Sequence, residues 1–169
     1  MKYFNGFSLK NEEIFFKEYI VDSDLCVAGF SYGAQKAFDY AYNSPDRIDR
    51  LILLSPAFFQ NHRASFTRTQ LRYFKSDETK YIDNFLQNVI YPSNINLNDY
   101  LNYGEYSELE SLLSYVWDRD RVLDLIKRGT TIEVFIGKED KIVDAQKSFE
   151  FFSEITTTYL LKEIGHILN

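Results

Sequence analysis

The sequence predicts an α/β fold, a mostly parallel sheet with flanking helices. Three observations predict it. Apolar runs of strand length alternate with stretches of helical period. The runs lack a clean polar–apolar alternation, so they read as strands buried on both faces, as parallel strands are. Charged and polar residues cluster just after them, at the edge where such sheets place their sites.

The elements follow in order. Tyr3-Phe4 is a first apolar segment, closed by the turn pair Asn5-Gly6. Ile14, Phe15 and Tyr19, behind Glu12 and Glu13, predict a short helix over 11–20. Leu25-Cys26-Val27-Ala28 is a buried strand that runs into Gly29-Phe30-Ser31-Tyr32-Gly33. Ala34, Ala37, Phe38, Ala41 and Tyr42 then repeat at helical spacing, and Asn43-Ser44-Pro45 ends that helix. Arg50–Leu54 is a second buried strand, stopped by Ser55-Pro56. Residues 61–127 are polar and aromatic, with helical repeats at Phe66, Leu71, Phe74 and at Leu109, Leu112, Leu113, Val116; they read as a helical lid or cap insertion. Thr131–Ile136 is a third strand, ending in Gly137-Lys138-Glu139-Asp140; 144–153 is a helix, and Thr158–Leu161 a fourth strand ending in Gly165-His166.

The length of 169 residues suits one domain, 1–169, that contains the insertion. The net charge of −6 argues against nucleic acid, whose phosphates an acidic surface repels. The longest apolar run, Leu51–Phe59, is broken by Ser55-Pro56 and is too short for a membrane span. Met1–Gly6 shows no signal-peptide pattern. The single cysteine, Cys26, cannot form an internal disulfide, so a reducing, cytoplasmic setting is expected.

Gly29-x-Ser31-x-Gly33 carries the chemistry. A serine at the apex of a sharp strand-to-helix turn exposes its Oγ, and the next backbone N–H faces the developing oxyanion. The flanking positions must be small because strand and helix converge there. Serine needs a base. Of the two histidines, His166 follows the last strand and lies at the same sheet edge as Ser31. His62 opens the insertion and reads as a surface or structural residue. The base needs a carboxylate; Asp140, in Gly137-x-x-Asp140, is favoured, with Glu139 and Asp144 as neighbours that could serve instead. The expected oxyanion donors are the backbone N–H groups of Tyr32 and of Phe7, in the turn after the first apolar segment. Cys26, inside an apolar run, reads as an inert buried thiol. No cofactor loop or metal-ligand spacing is present.

The order Ser31, Asp140, His166 resembles that of the α/β-hydrolase superfamily, and implies a compact α/β-hydrolase fold with a helical lid. The chain departs from the usual pattern by its shortness. It also has Asn5-Gly6-Phe7 where many members have His-Gly and a bulky residue. Lys2–Phe7, Gly29–Ala37, Tyr40–Asn43 and Leu53–Pro56 are similar to the short pimeloyl-ACP methyl ester esterases of bacterial biotin synthesis. That resemblance implies hydrolysis of a methyl ester on a pimeloyl chain borne by acyl carrier protein. Arg63, Arg68, Arg72 and Lys75 lie in a stretch without acids, and the resemblance makes them the expected contacts of that acidic carrier. Phe66, Leu71 and Phe74 either line an acyl tunnel or anchor their helix.

Overall fold

A computed structural model describes residues 1–169. Five parallel strands, β1 (Lys2–Phe4), β2 (Cys26–Phe30), β3 (Arg50–Leu54), β4 (Thr131–Gly137) and β5 (Thr157–Leu161), form one sheet in chain order. The helices are α1 (Tyr32–Asn43), α2 (Ala64–Ser76), α3 (Glu78–Ile90), α4 (Tyr106–Ser114), α5 (Arg119–Lys127) and α6 (Ala145–Ser153). Parallel neighbours need crossovers; α1, α2–α5 and α6 supply those from β2 onward, and the segment with the 3₁₀ turn Glu12–Phe16 makes the one from β1 to β2.

Side chains of β3 alternate between two apolar clusters. Leu51 and Leu53 join Val27 and Ile132 against α1, α5 and α6. Ile52 and Leu54 join Cys26, Ala28 and Phe30 in a second cluster that continues into α2, α3 and α4. Both faces are therefore covered, as the unalternating sequence runs require.

The insertion divides. Leu71, Phe74, Ile82, Leu86 and Leu112 bury α2–α4 in the second cluster. Trp117, Val122 and Leu125 belong with α1 and α6 on the other side of the sheet. The helical repeat stops at Leu113, since α4 ends at Ser114 and Val116 is exposed. Trp117 is the buried residue there; its Nε1–H donates to the Ala57 carbonyl at 2.8 Å.

The helix expected over 11–20 is a 3₁₀ turn at Glu12–Phe16. Of the expected apolar face, Phe15 and Tyr19 pack against the core but Ile14 is exposed, while Phe16 and Glu12 are the buried residues. The reason is a polar demand. Glu12 turns inward to accept a hydrogen bond from the Gly6 N–H, which pins the turn to the loop after β1. No helix is long and apolar enough to cross a membrane.

Candidate active site

The turn from β2 into α1 is closed by its two glycines. A Cβ on Gly29 would lie 2.2 Å from the Gly33 carbonyl oxygen, and one on Gly33 would lie 1.9 Å from the Phe4 oxygen. Both obstacles are main chain, so neither can give way. Ser31 between them sits at φ 54°, ψ −113°, a conformation that side-chain-bearing residues rarely adopt. Its N–H donates to the Leu54 carbonyl (2.9 Å), and its carbonyl accepts from Ala57 and Ala34 N–H (3.1 Å each). The strained residue is thereby fixed by the ends of two neighbouring segments.

His166 arrives from the other side. The N–H groups of Lys138 and Glu139 donate to the carbonyls of Leu161 and Ile164, joining the ends of β4 and β5. Gly137 permits the approach, since a Cβ there would lie 2.0 Å from the Gly165 oxygen. The Ile167 N–H donates to the Val89 carbonyl at 3.2 Å, so α3 also holds the histidine loop.

His166 Nε2 lies 2.9 Å from Ser31 Oγ, and His166 Nδ1 lies 2.5 Å from Asp140 Oδ2. An ionised carboxylate can only accept, which places the imidazole proton on Nδ1 and leaves Nε2 to accept from the Ser31 hydroxyl. The other Asp140 oxygen, Oδ1, accepts the N–H groups of Ile142 (2.7 Å) and Val143 (3.0 Å). Those bonds fix the carboxylate plane. Asp140 is thus the carboxylate that meets the histidine. Asp144 instead caps α6 by accepting from the Lys147 N–H, and Glu139 is exposed.

Caps show how the serine differs. Asp77, Asp118 and Asp144 cap α3, α5 and α6 through their side chains. Ser31 occupies the same position on α1 and makes no such bond, because its hydroxyl is turned to His166. The first N–H groups of α1 keep the positive end of the helix open toward the serine. Among the hydrogen bonds outside the regular ladders, none has the Tyr32 or Phe7 N–H as donor.

The serine is closed off: Ser31 is 1% exposed and His166 0%. A cavity of about 820 Å³ lies between α2, α3, α4 and the loop 140–144; Asp140 is in its wall, and Ser31 and His166 are not. Its wall includes Asp140, Val143, Phe66, Phe85 and Leu113, with Lys80 and Lys141 among its polar groups. Phe66 faces this cavity, whereas Leu71 and Phe74 anchor α2 in the core. His62 is exposed, stacks on Phe66 with ring centres 4.2 Å apart, and lines the same cavity; it forms no hydrogen bond with Ser31 or Asp140. Cys26 is buried within β2, and burial pushes its thiol pKa up.

Arg63, Arg68, Arg72 and Lys75 are all exposed, and none forms an ion pair with the protein's own carboxylates. At about 100° per residue, Arg68, Arg72 and Lys75 share one face of α2, nearly opposite the face of Phe66, Gln70 and Tyr73 that lines the cavity. Lys75 Nζ lies 4.3 Å from the centre of the Tyr106 ring.

One polar residue of the site region was not singled out by sequence reasoning. Glu12 is buried beneath the loop that carries Phe7. The only sequence signal is a pair of acids in a short amphipathic stretch, which reads as a helix start.

Sheet order, crossovers and the strand–serine–helix turn together define an α/β-hydrolase fold. No protein-family model matches the sequence, and no curated protein matches it. Solved structures do match. MenH from S. aureus is 14% identical with a TM-score of 0.64, covering 99% of this chain and 87% of its own. The esterase EaEST from Exiguobacterium antarcticum is 17% identical with a TM-score of 0.62, over 83% of this chain and 59% of its own. Naproxen esterase (carboxylesterase NP) from Bacillus subtilis is 16% identical with a TM-score of 0.56, over 85% of this chain and 53% of its own. The chain thus spans little more than half the length of the two esterases.

Proposed function

We propose that the chain is a serine carboxylesterase, with pimeloyl-ACP methyl ester as substrate. The observation that carries the reaction class is the relay from Asp140 through His166 to the Ser31 hydroxyl, at 2.5 and 2.9 Å. The esterases among the similar folds support the same class. The substrate rests on the sequence resemblance, together with the unpaired cations of α2.

Ser31 Oγ attacks the ester carbonyl while His166 Nε2 takes its proton, and Asp140 stabilises the imidazolium. The tetrahedral oxyanion is met by the N–H groups of Phe7 and Tyr32. The oxyanion collapses, the bond to methoxide breaks, and His166 returns the proton so that methanol leaves. Water, deprotonated by His166, then attacks the acyl-enzyme and frees the carboxylic acid and Ser31. No cofactor takes part. With Ser31 1% exposed, the site must open for a carbonyl to reach Oγ.

Arg68, Arg72 and Lys75, with Arg63 at the start of α2, form the docking face for acyl carrier protein. Their position away from the cavity means the carrier sits on the outside of α2 while its acyl arm runs to the serine. Docking by exposed charge is screened by salt. Activity on the carrier-bound ester therefore falls as salt rises, and activity on a free small ester does not.

The test is the mass of pimeloyl-ACP methyl ester before and after incubation, beside Ser31→Ala. Loss of one methyl group with wild type alone is the expected result. Unchanged mass with fluorophosphonate labelling of Ser31 would leave an esterase of other small esters or thioesters. Neither hydrolysis nor labelling would leave a non-catalytic binding scaffold.

A further inference from the structure

Glu12 is the buried ionisable group that the proposed reaction does not use. It is 0% exposed and takes part in no ion pair. Its Oε1 accepts the Gly6 N–H at 2.6 Å and the Tyr3 hydroxyl at 3.3 Å, and its Oε2 has no partner. A buried carboxyl without a cation beside it is costly, so what it holds matters.

It holds the peptide before the candidate oxyanion donor. Gly6 is gripped at both ends: its N–H by Glu12, and its carbonyl by the Leu9 N–H at 3.2 Å. Asn5 Oδ1 accepts the Asn11 N–H at 3.0 Å, which closes the base of the same loop. Ser8, at φ 60°, accepts the Gly104 N–H on its Oγ at 3.1 Å. The Phe7 ring packs against Phe74 and Phe85. Every neighbour of the Phe7 N–H is tied down, yet no main-chain bond outside the ladders has that N–H as its donor.

We propose that Glu12 is a positioning residue that fixes the Gly6–Phe7 peptide, so that the Phe7 N–H points at the oxyanion above Ser31. This rests on the esterase reading and assigns the support of one of its two donors. Glu12 touches no reacting atom. An oxyanion donor acts by being fixed before the reaction, so loosening it weakens transition-state binding and leaves substrate binding alone.

The test uses the full chain as wild type, Glu12→Ala and Glu12→Gln. Three readings are taken: p-nitrophenyl ester kinetics, the affinity of a trifluoromethyl ketone that forms an oxyanionic adduct with Ser31, and amide hydrogen exchange at Gly6 and Phe7. Glu12→Ala is expected to lower kcat by about 10²-fold, the effect of losing one such donor, with KM unchanged. The ketone weakens by the same factor, and the Gly6 amide exchanges faster. Glu12→Gln keeps an oxygen at Oε1 and restores kcat to within about tenfold of wild type. An unchanged kcat in Glu12→Ala overturns the proposal, as does a lowered kcat with full ketone affinity. So does a Gln variant no better than Ala. If Glu12→Ala does not fold, Glu12→Asp replaces it: the shorter side chain withdraws the acceptor from Gly6, and the same readings apply. A wild type that hydrolyses no ester and binds no ketone defeats the esterase reading by itself. The oxyanion role of Glu12 falls with it, and faster exchange at Gly6 in Glu12→Ala would then show only that Glu12 holds the loop.

Discussion

The Ser31 turn and the Asn5–Asn11 loop lie side by side at one sheet edge, and they are held in different ways. The turn at Gly29–Gly33 is held by main chain: strand ladder, helix start, and two glycines whose absent side chains let backbones meet. The loop at Asn5–Asn11 is held by side chains as well: Glu12, Asn5 and Ser8 each accept a main-chain N–H, beside main-chain bonds that join Leu9 to Gly6, Lys10 to Tyr100 and Asn102 to Ser8. A site fixed by main chain tolerates change around it but none within it. A site fixed by a side chain can be loosened one atom at a time.

The largest expected difference is in rate. On the proposed mechanism, Ser31→Ala is expected to lower kcat by about 10⁶-fold, because nucleophile and base act as one unit. Loosening the loop through Glu12 touches only the oxyanion donor and is expected to fall far short of that. Steady-state kinetics on one small ester compares the two directly. Equal losses would mean that the loop and the turn form a single unit and that the contrast is false.

This contrast also explains what the sequence disclosed. Strand and helix identities were legible because Cys26–Phe30 and Arg50–Leu54 are buried on both faces and Ala34–Tyr42 on one. The pattern Gly-x-Ser-x-Gly was legible because a main-chain constraint demands glycine at fixed offsets. Asp140 was separable from Glu139 and Asp144 only in three dimensions, where Asp144 is engaged as a helix cap. Glu12 was not legible at all, since nothing in a sequence says that a first-turn acid will turn inward to a glycine six residues back. The division of 61–127 was equally hidden, because Leu112 and Leu125 have the same period and differ only in which side of the sheet they meet.

Stability should show the second difference. A methyl group on Gly33 meets the Phe4 and Asn5 carbonyl oxygens at 1.9 and 2.6 Å, both main chain. Gly33→Ala is therefore expected to cost about 4 kcal/mol or more, among the severe effects for one substitution. At Gly6 the nearest obstacle is the Phe30 ring, at 2.8 Å, and a ring can shift. Gly6→Ala is expected to cost about 1–3 kcal/mol, as for modest overpacking. Denaturant midpoints measure both, and a reversed order would show that the loop is the more rigid of the two.

The smallest effect is the most specific to the loop. Burial raises the Glu12 pKa from 4.5 to about 7, against the Gly6 and Tyr3 hydrogen bonds that pull it down; Glu13 adds a small upward push. Tyr3, facing it from β1, has its own pKa raised well above 10 by burial and stays a donor. The folded chain therefore holds more protons than the unfolded chain between pH 4.5 and about 7. The contribution to stability is fully present below pH 4.5 and is lost as pH rises through about 7. Its full size is about 3 kcal/mol, from roughly 1.4 kcal/mol per pKa unit. Glu12→Gln cannot titrate, so the stability difference between it and wild type should drift by that amount from pH 4 to 8. Groups common to both proteins cancel. The geometry is suited to the neutral acid: a proton on Oε2, the oxygen without a partner, leaves Oε1 to accept from both Gly6 and Tyr3. The loop can then be held without a full negative charge next to the Gly6 peptide. A flat difference across that range would mean that Glu12 stays ionised, and that the Phe7 donor works against a charge as well as for one.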